Sequence, residues 1–124
     1  MRTLPLLALL LALVAAYSAA AQNVVTLPSG KQIKVLGVGK ISFSQGPPAL
    51  MLKYETNVSI DDMPKLEQEV TEIWATFRLD VEKAHLTEAV ISANEHPSGM
   101  LVTTNKGFNF VYERSKDGKW SRIK

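Results

Sequence analysis

The chain contains no cysteine. That absence removes disulfides, thiolate metal ligands, thiol catalysis and a lipidated cysteine together. Histidine is nearly as scarce. His85 and His96 are the only two, and no H-x-x-x-H or related ligand spacing is formed, so no metal site is predicted. Neither sign of charge is in large excess: the formal net charge is +2 with 21% charged residues, which argues against a strongly basic nucleic-acid binder. No serine lies in a G-x-S-x-G elbow. Gly37-Val38-Gly39-Lys40 is rich in glycine but lacks both the P-loop spacing and a following helix, so a bulged strand explains it with less. Beyond residue 21 there is no long apolar run, no internal repeat and no low-complexity tract.

The apolar residues that are present are concentrated at the start. Arg2 precedes an apolar run from Leu6 to Ala16, and Ser18-Ala19-Ala20-Ala21 places small residues before Gln22. This reads as a signal peptide over residues 1–21, removed after Ala20 or Ala21. The run is short for a membrane span of about 20 residues, so no stable span is expected after cleavage. Residues 22–124 are then one small domain, exported to the periplasm or, as the second choice, secreted. Without disulfides its core must hold it together unaided.

Within that domain the hydrophobic period changes twice. Val24 to Leu27 precedes a Pro28-Ser29-Gly30 turn. Ile33, Val35, Ile41 and Phe43 then share one face of a strand that Gly37 and Gly39 bulge or bend. After Gly46-Pro47-Pro48, a hairpin partner carries Leu50, Leu52, Tyr54, Val58 and Ile60 on one face, with Met51, Lys53, Glu55 and Asn57 opposite. Asp61-Asp62-Met63-Pro64 is a helix start, because an aspartate accepts from free first-turn amides and proline is tolerated there. Leu66, Val70, Ile73, Trp74, Phe77, Val81 and Ala84 follow as one stripe of a helix of about six turns, ending at His85. Glu67, Glu69, Glu72, Arg78, Glu82 and Lys83 are assigned to the wet face.

Short strands follow at Glu88–Asn94, Met100–Thr104 and Phe108–Tyr112, with a last one from Trp120 after the Lys116-Asp117-Gly118 turn. The expectation is an α+β fold: an antiparallel sheet of about six to seven short strands with one long amphipathic helix on one face, in the order β-β-β-α-β-β-β-β.

Charge is segregated along the chain. Residues 61–84 carry seven acids against three bases, whereas residues 105–124 carry six bases against two acids. In the basic tail Lys106, Arg114 and Lys119 interleave with Phe108, Phe110, Tyr112 and Trp120. Such interleaving can grip a partner if the aromatics point outward. If they alternate inward, they are core. These seven residues are the candidate partner-binding face. No catalytic residue and no cofactor site is predicted; Glu69 and Glu72 lie one helical turn apart, but a solvated pair has no raised pKa for acid–base work.

In the blocks Ile60-Asp61-Asp62, Glu72-Ile73-Trp74, Ala89 to Glu95, Gly107 to Glu113 and Asp117-Gly118-Lys119-Trp120, the chain resembles small exported proteins of Gram-negative bacteria. The resemblance covers most of residues 22–124 and rests on packing and turn residues. It implies compartment and fold class, and no site residue is carried over from it. The expected function is a non-enzymatic binding or interaction domain of the periplasm or cell envelope, with a protein or an envelope component as partner and the sheet as its recognition surface. Two alternatives stand beside it: a small-molecule or lipid carrier with a pocket between Trp74, Phe77 and the sheet, and a hydrolase with an unrecognised site.

Overall fold

A computed structural model describes residues 23–96 and 106–124. The leader segment and the expected strand Met100–Thr104 lie outside these residues. The elements run β1 (Asn23–Thr26), β2 (Gln32–Ile41), β3 (Ala49–Thr56), α1 (Met63–Lys83), β4 (Glu88–Glu95), β5 (Gly107–Arg114) and β6 (Trp120–Arg122). The six strands form one sheet in their sequence order, and the helix packs on one face, so the α+β class holds.

One pairing differs from the expected all-antiparallel meander: β3 and β4 are parallel, from Leu50 opposite Ala89 to Thr56 opposite Glu95. The cause is the helix. Its 21 residues span about 31 Å, which returns the chain to the start of β3, and β4 must then run in the same direction. All other neighbours are antiparallel. No helix among the described residues is long and apolar enough to cross a membrane.

Both helix ends follow from local chemistry. The Asp62 carboxylate accepts from the Lys65 N–H, and Pro64 sits in the first turn. At the other end the His85 N–H donates to Glu82 O at 3.0 Å and the Leu86 N–H to Val81 O at 3.2 Å. This is a Schellman closure, with Leu86 buried behind it. His85 takes the left-handed position at φ 61° that glycine usually fills.

The covered face of the sheet is built from cross-strand rows. Val38, Leu52, Ile91 and Phe110 form one; Val35, Tyr54, Ala93 and Phe108 form the next. Leu66, Val70, Ile73, Phe77 and Val81 of α1 are buried against them. A fully buried side chain of this size contributes about 1.5–3 kcal/mol. In β2 the register shifts between Val35 and Gly37, the expected bulge, with Leu36 as the extra residue. The shift exchanges the two faces. Val38 therefore packs on the core, and Ile41 and Phe43 do not continue the row begun by Ile33 and Val35; Phe43 is exposed.

Candidate functional site

Of the seven residues in the aromatic-basic tail, the aromatics turn toward the helix. Phe110 and Tyr112 are buried, opposite Ile91 and Ala89, and Phe108 meets Phe110 edge to face at 4.8 Å. Trp74 of α1 stacks on Tyr112 with centroids 3.9 Å apart and an interplanar angle of 6°. Trp120, half-buried, meets Trp74 edge to face, and its indole N–H donates to Glu82 Oε2 at 2.8 Å. That bond holds the Glu82 carboxyl below its usual range, while burial pushes the Tyr112 hydroxyl up to about 12.

The bases are dispersed. Arg114 lies over Trp120 and donates to Gly118 O, Lys106 pairs with Asp61 at 3.1 Å, and exposed Lys119 sits in the β5–β6 turn. Lys106 and Lys119 lie beyond opposite ends of β5, whose eight residues span roughly 25 Å. The structure brings Arg114 and Trp120 together and leaves Lys106 apart from them.

The acidic residues hold a correction. Glu69, assigned by the sequence to the wet face, is 2% exposed. It lies three residues after Leu66 and four before Ile73, at the flank of the apolar stripe, and faces β3. Its Oε1 accepts from the Tyr54 hydroxyl at 2.8 Å and from the Thr56 hydroxyl, and its Oε2 pairs with Lys31 at 3.0 Å. Burial and the carboxylate bond both push the Tyr54 hydroxyl upward from its ordinary pKa. With both oxygens engaged and water excluded, Glu69 acts as a tie between α1, β3 and the β1–β2 turn. Glu72 extends the tie by accepting from the Ser29 hydroxyl at 2.9 Å. Farther along the helix, Asp80 is buried with Oδ1 lacking a partner, and burial raises its carboxyl to about 6.

Neither histidine joins a catalytic set. His85 joins the helix cap through its backbone N–H and is exposed, and exposed His96 pairs with Glu55. Among the described residues no three His, Cys, Asp or Glu side chains cluster closely enough to hold a metal ion.

What remains is the face of the sheet opposite the helix. Four rows cross it, the fourth, at the start of β4, being Glu88, Glu113 and Ser121. One is apolar: Met51, Val90 and Val111, with Ile123 bonded beside Val111. The second begins at Gly37 and runs through Lys53, Ser92 and Asn109. The third runs Lys34, Glu55, Asn94, Gly107. Lys53 and Asn109 are exposed. A depression of about 520 Å³ opens here, bordered by Ser92, Asn94, Asn109, Val111 and Lys124. The Asn94 amide is pinned by donating to Tyr54 O, Ser92 O and Ser92 Oγ at 3.1–3.3 Å. Gly107 opposite it leaves room for this placement, since a Cβ there would stand 2.7 Å from Asn94 Oδ1. The result is a fixed amide beside exposed Lys53 and Asn109 on neighbouring strands, with the Ser92 hydroxyl between them buried and engaged by Asn94.

Lys53 was legible as an outward residue from the alternation of β3. Ser92, Asn94 and Asn109 were not legible as its neighbours, because their alignment depends on cross-strand register. The chain matches no protein family, no curated protein and no solved structure in comparisons with known proteins.

Proposed function

We propose that this protein is an exported, non-enzymatic binding domain of the cell envelope that meets its partner, a protein or an envelope component, with the open face of its sheet. The observation that carries this reading is exposed Lys53 and Asn109 with the pinned Asn94 beside them, set on strands whose other face packs against the helix. Export is the reading of the leader segment, in which Arg2 and the apolar run Leu6 to Ala16 precede small residues before Gln22. The carrier alternative draws less support: Trp74 stacks on Tyr112, and Phe77 lies in the core, so both aromatics that would line its pocket are packed against protein.

The test is retention of solubilised envelope components on the immobilised protein. Lys53→Ala combined with Asn109→Arg should abolish retention, whereas Gln68→Arg, exposed on the helix, should leave it intact. Equal retention by all three proteins would refute the open face as the recognition surface.

A further inference from the structure

Among the described residues, which begin at Asn23, β2 outruns its outer neighbour, and access to its outer edge rests on removal of residues 1–21. The strand has ten residues, and β1 pairs only with Gln32–Val35. Among the described residues nothing pairs with the outer edge from Leu36 to Ile41, although the inner edge is held straight by β3 from Gly37 to Ile41. Alternate residues of this stretch therefore turn N–H and C=O groups outward in strand geometry. Gly37 and Gly39 keep side-chain bulk low, and a Cβ on Gly39 would meet nothing within 4 Å.

Charge selects what can lie there. Residues 23–54 contain Lys31, Lys34, Lys40 and Lys53 and no acidic residue. Lys31 is paired with Glu69 and Lys34 with Glu55, whereas exposed Lys40 and Lys53 make no ion pair among the described residues. A second copy would bring Lys40 and Lys53 of each edge near those of the other with no acidic residue in residues 23–54 to pair them, which like charge disfavours.

We propose that an extended acidic peptide adds to this edge as an antiparallel strand over Leu36–Ile41. This goes beyond the open-face reading, because it concerns the rim of the sheet. Gly37 is the cross-strand partner of Lys53. A glutamate opposite Gly37 would face the Lys53 ammonium across a residue with no side chain, and one opposite Lys40 would meet that ammonium directly on the other side of the sheet. The two positions lie three residues apart, so the favoured motif is Glu-x-x-Glu in an extended, backbone-bonded segment.

The probe is the blocked peptide Thr-Glu-Thr-Val-Glu-Thr, titrated into the ¹⁵N-labelled protein. Saturable amide shifts confined to β1 and Leu36–Ile41 are expected. Lys40→Glu with Lys53→Glu, both exposed and outside the core, should weaken binding by about tenfold. A peptide with lysines for the glutamates should give no shifts, nor should the acidic peptide N-methylated at its valine. Four outcomes would overturn the inference: no shifts in this segment; equal binding by the N-methylated peptide, which would mean charge attraction alone; the same shifts arising with protein concentration in the absence of peptide, which would mean self-pairing; or loss of the shifts in Asn109→Arg, which would place the peptide on the open face. Shifts retained in Asn109→Arg support the edge site whether or not that variant loses envelope components.

Discussion

The two faces of this one sheet are built from the same strands, but one packs on the helix and the other sets polar rows beside the apolar row Met51, Val90 and Val111. Toward the helix, each cross-strand row is filled: Leu52 beside Ile91 and Phe110, Tyr54 beside Ala93 and Phe108. Away from it, the rows read Lys53, Ser92, Asn109 and Glu55, Asn94, Gly107. Period-two alternation makes this division automatic, since neighbouring residues point to opposite sides. A separation of tasks follows from the proposed function: substitutions on the covered face should act on folding, and those at exposed positions of the open face should act on what the folded protein meets.

The sharpest way to test that separation is to remove a covered side chain. Phe110→Ala opens a cavity at the centre of the sheet, and should cost about 3–5 kcal/mol in denaturant unfolding. A loss below about 1 kcal/mol would mean that the core is not where the packing places it. Next is the buried tie. Glu69→Ala leaves the Tyr54 and Thr56 hydroxyls without their acceptor, for an expected loss of about 2–3 kcal/mol by the same measurement.

Asp80 works against its own face, and its effect has the opposite sign. Its carboxyl is raised to about 6 by burial, above an unfolded value of about 3.9. The folded state therefore binds the extra proton between these values. Stability that is fully present below about pH 4 declines as pH rises through about 6. Asp80→Asn should flatten that slope and add about 1–2 kcal/mol at pH 7, less than the full shift implies because solvent screens part of the charge. Unfolding curves at pH 4 and pH 7 for both proteins measure this, and an unchanged slope would contradict the burial of the charged group. The smallest effect belongs to the open face: Asn109→Ala should change stability by no more than about 0.5 kcal/mol.

Much of the covered face was legible in the sequence, and the reasons it was legible also show where reading stopped. The helix announced itself through Asp62, Pro64 and the stripe from Leu66 to Val81, because caps and a 3.6-residue period are local signals. The direction of β4 was not local: the short apolar run Ala89-Val90-Ile91 marks a central strand but not whether it runs with its neighbour or against it. Gly37 signalled a bulge, yet its consequence, the exchange of Ile41 for Val38 on the core side, required knowing that a single extra residue was inserted. Glu69 was read as wet because hydropathy ranks glutamate with water. Tyr54, Thr56 and Lys31, the partners that allow its burial, are distant in sequence. The inward turn of Phe110 and Tyr112 was one of two arrangements their alternation permits, and only the helix above them decides it.

The most direct test of the account compares stability and partner retention in one variant, Lys53→Ala with Asn109→Arg. An unfolding free energy within about 0.5 kcal/mol of the parent is expected together with loss of envelope retention. Retention preserved at unchanged stability would contradict the assignment of recognition to the open face.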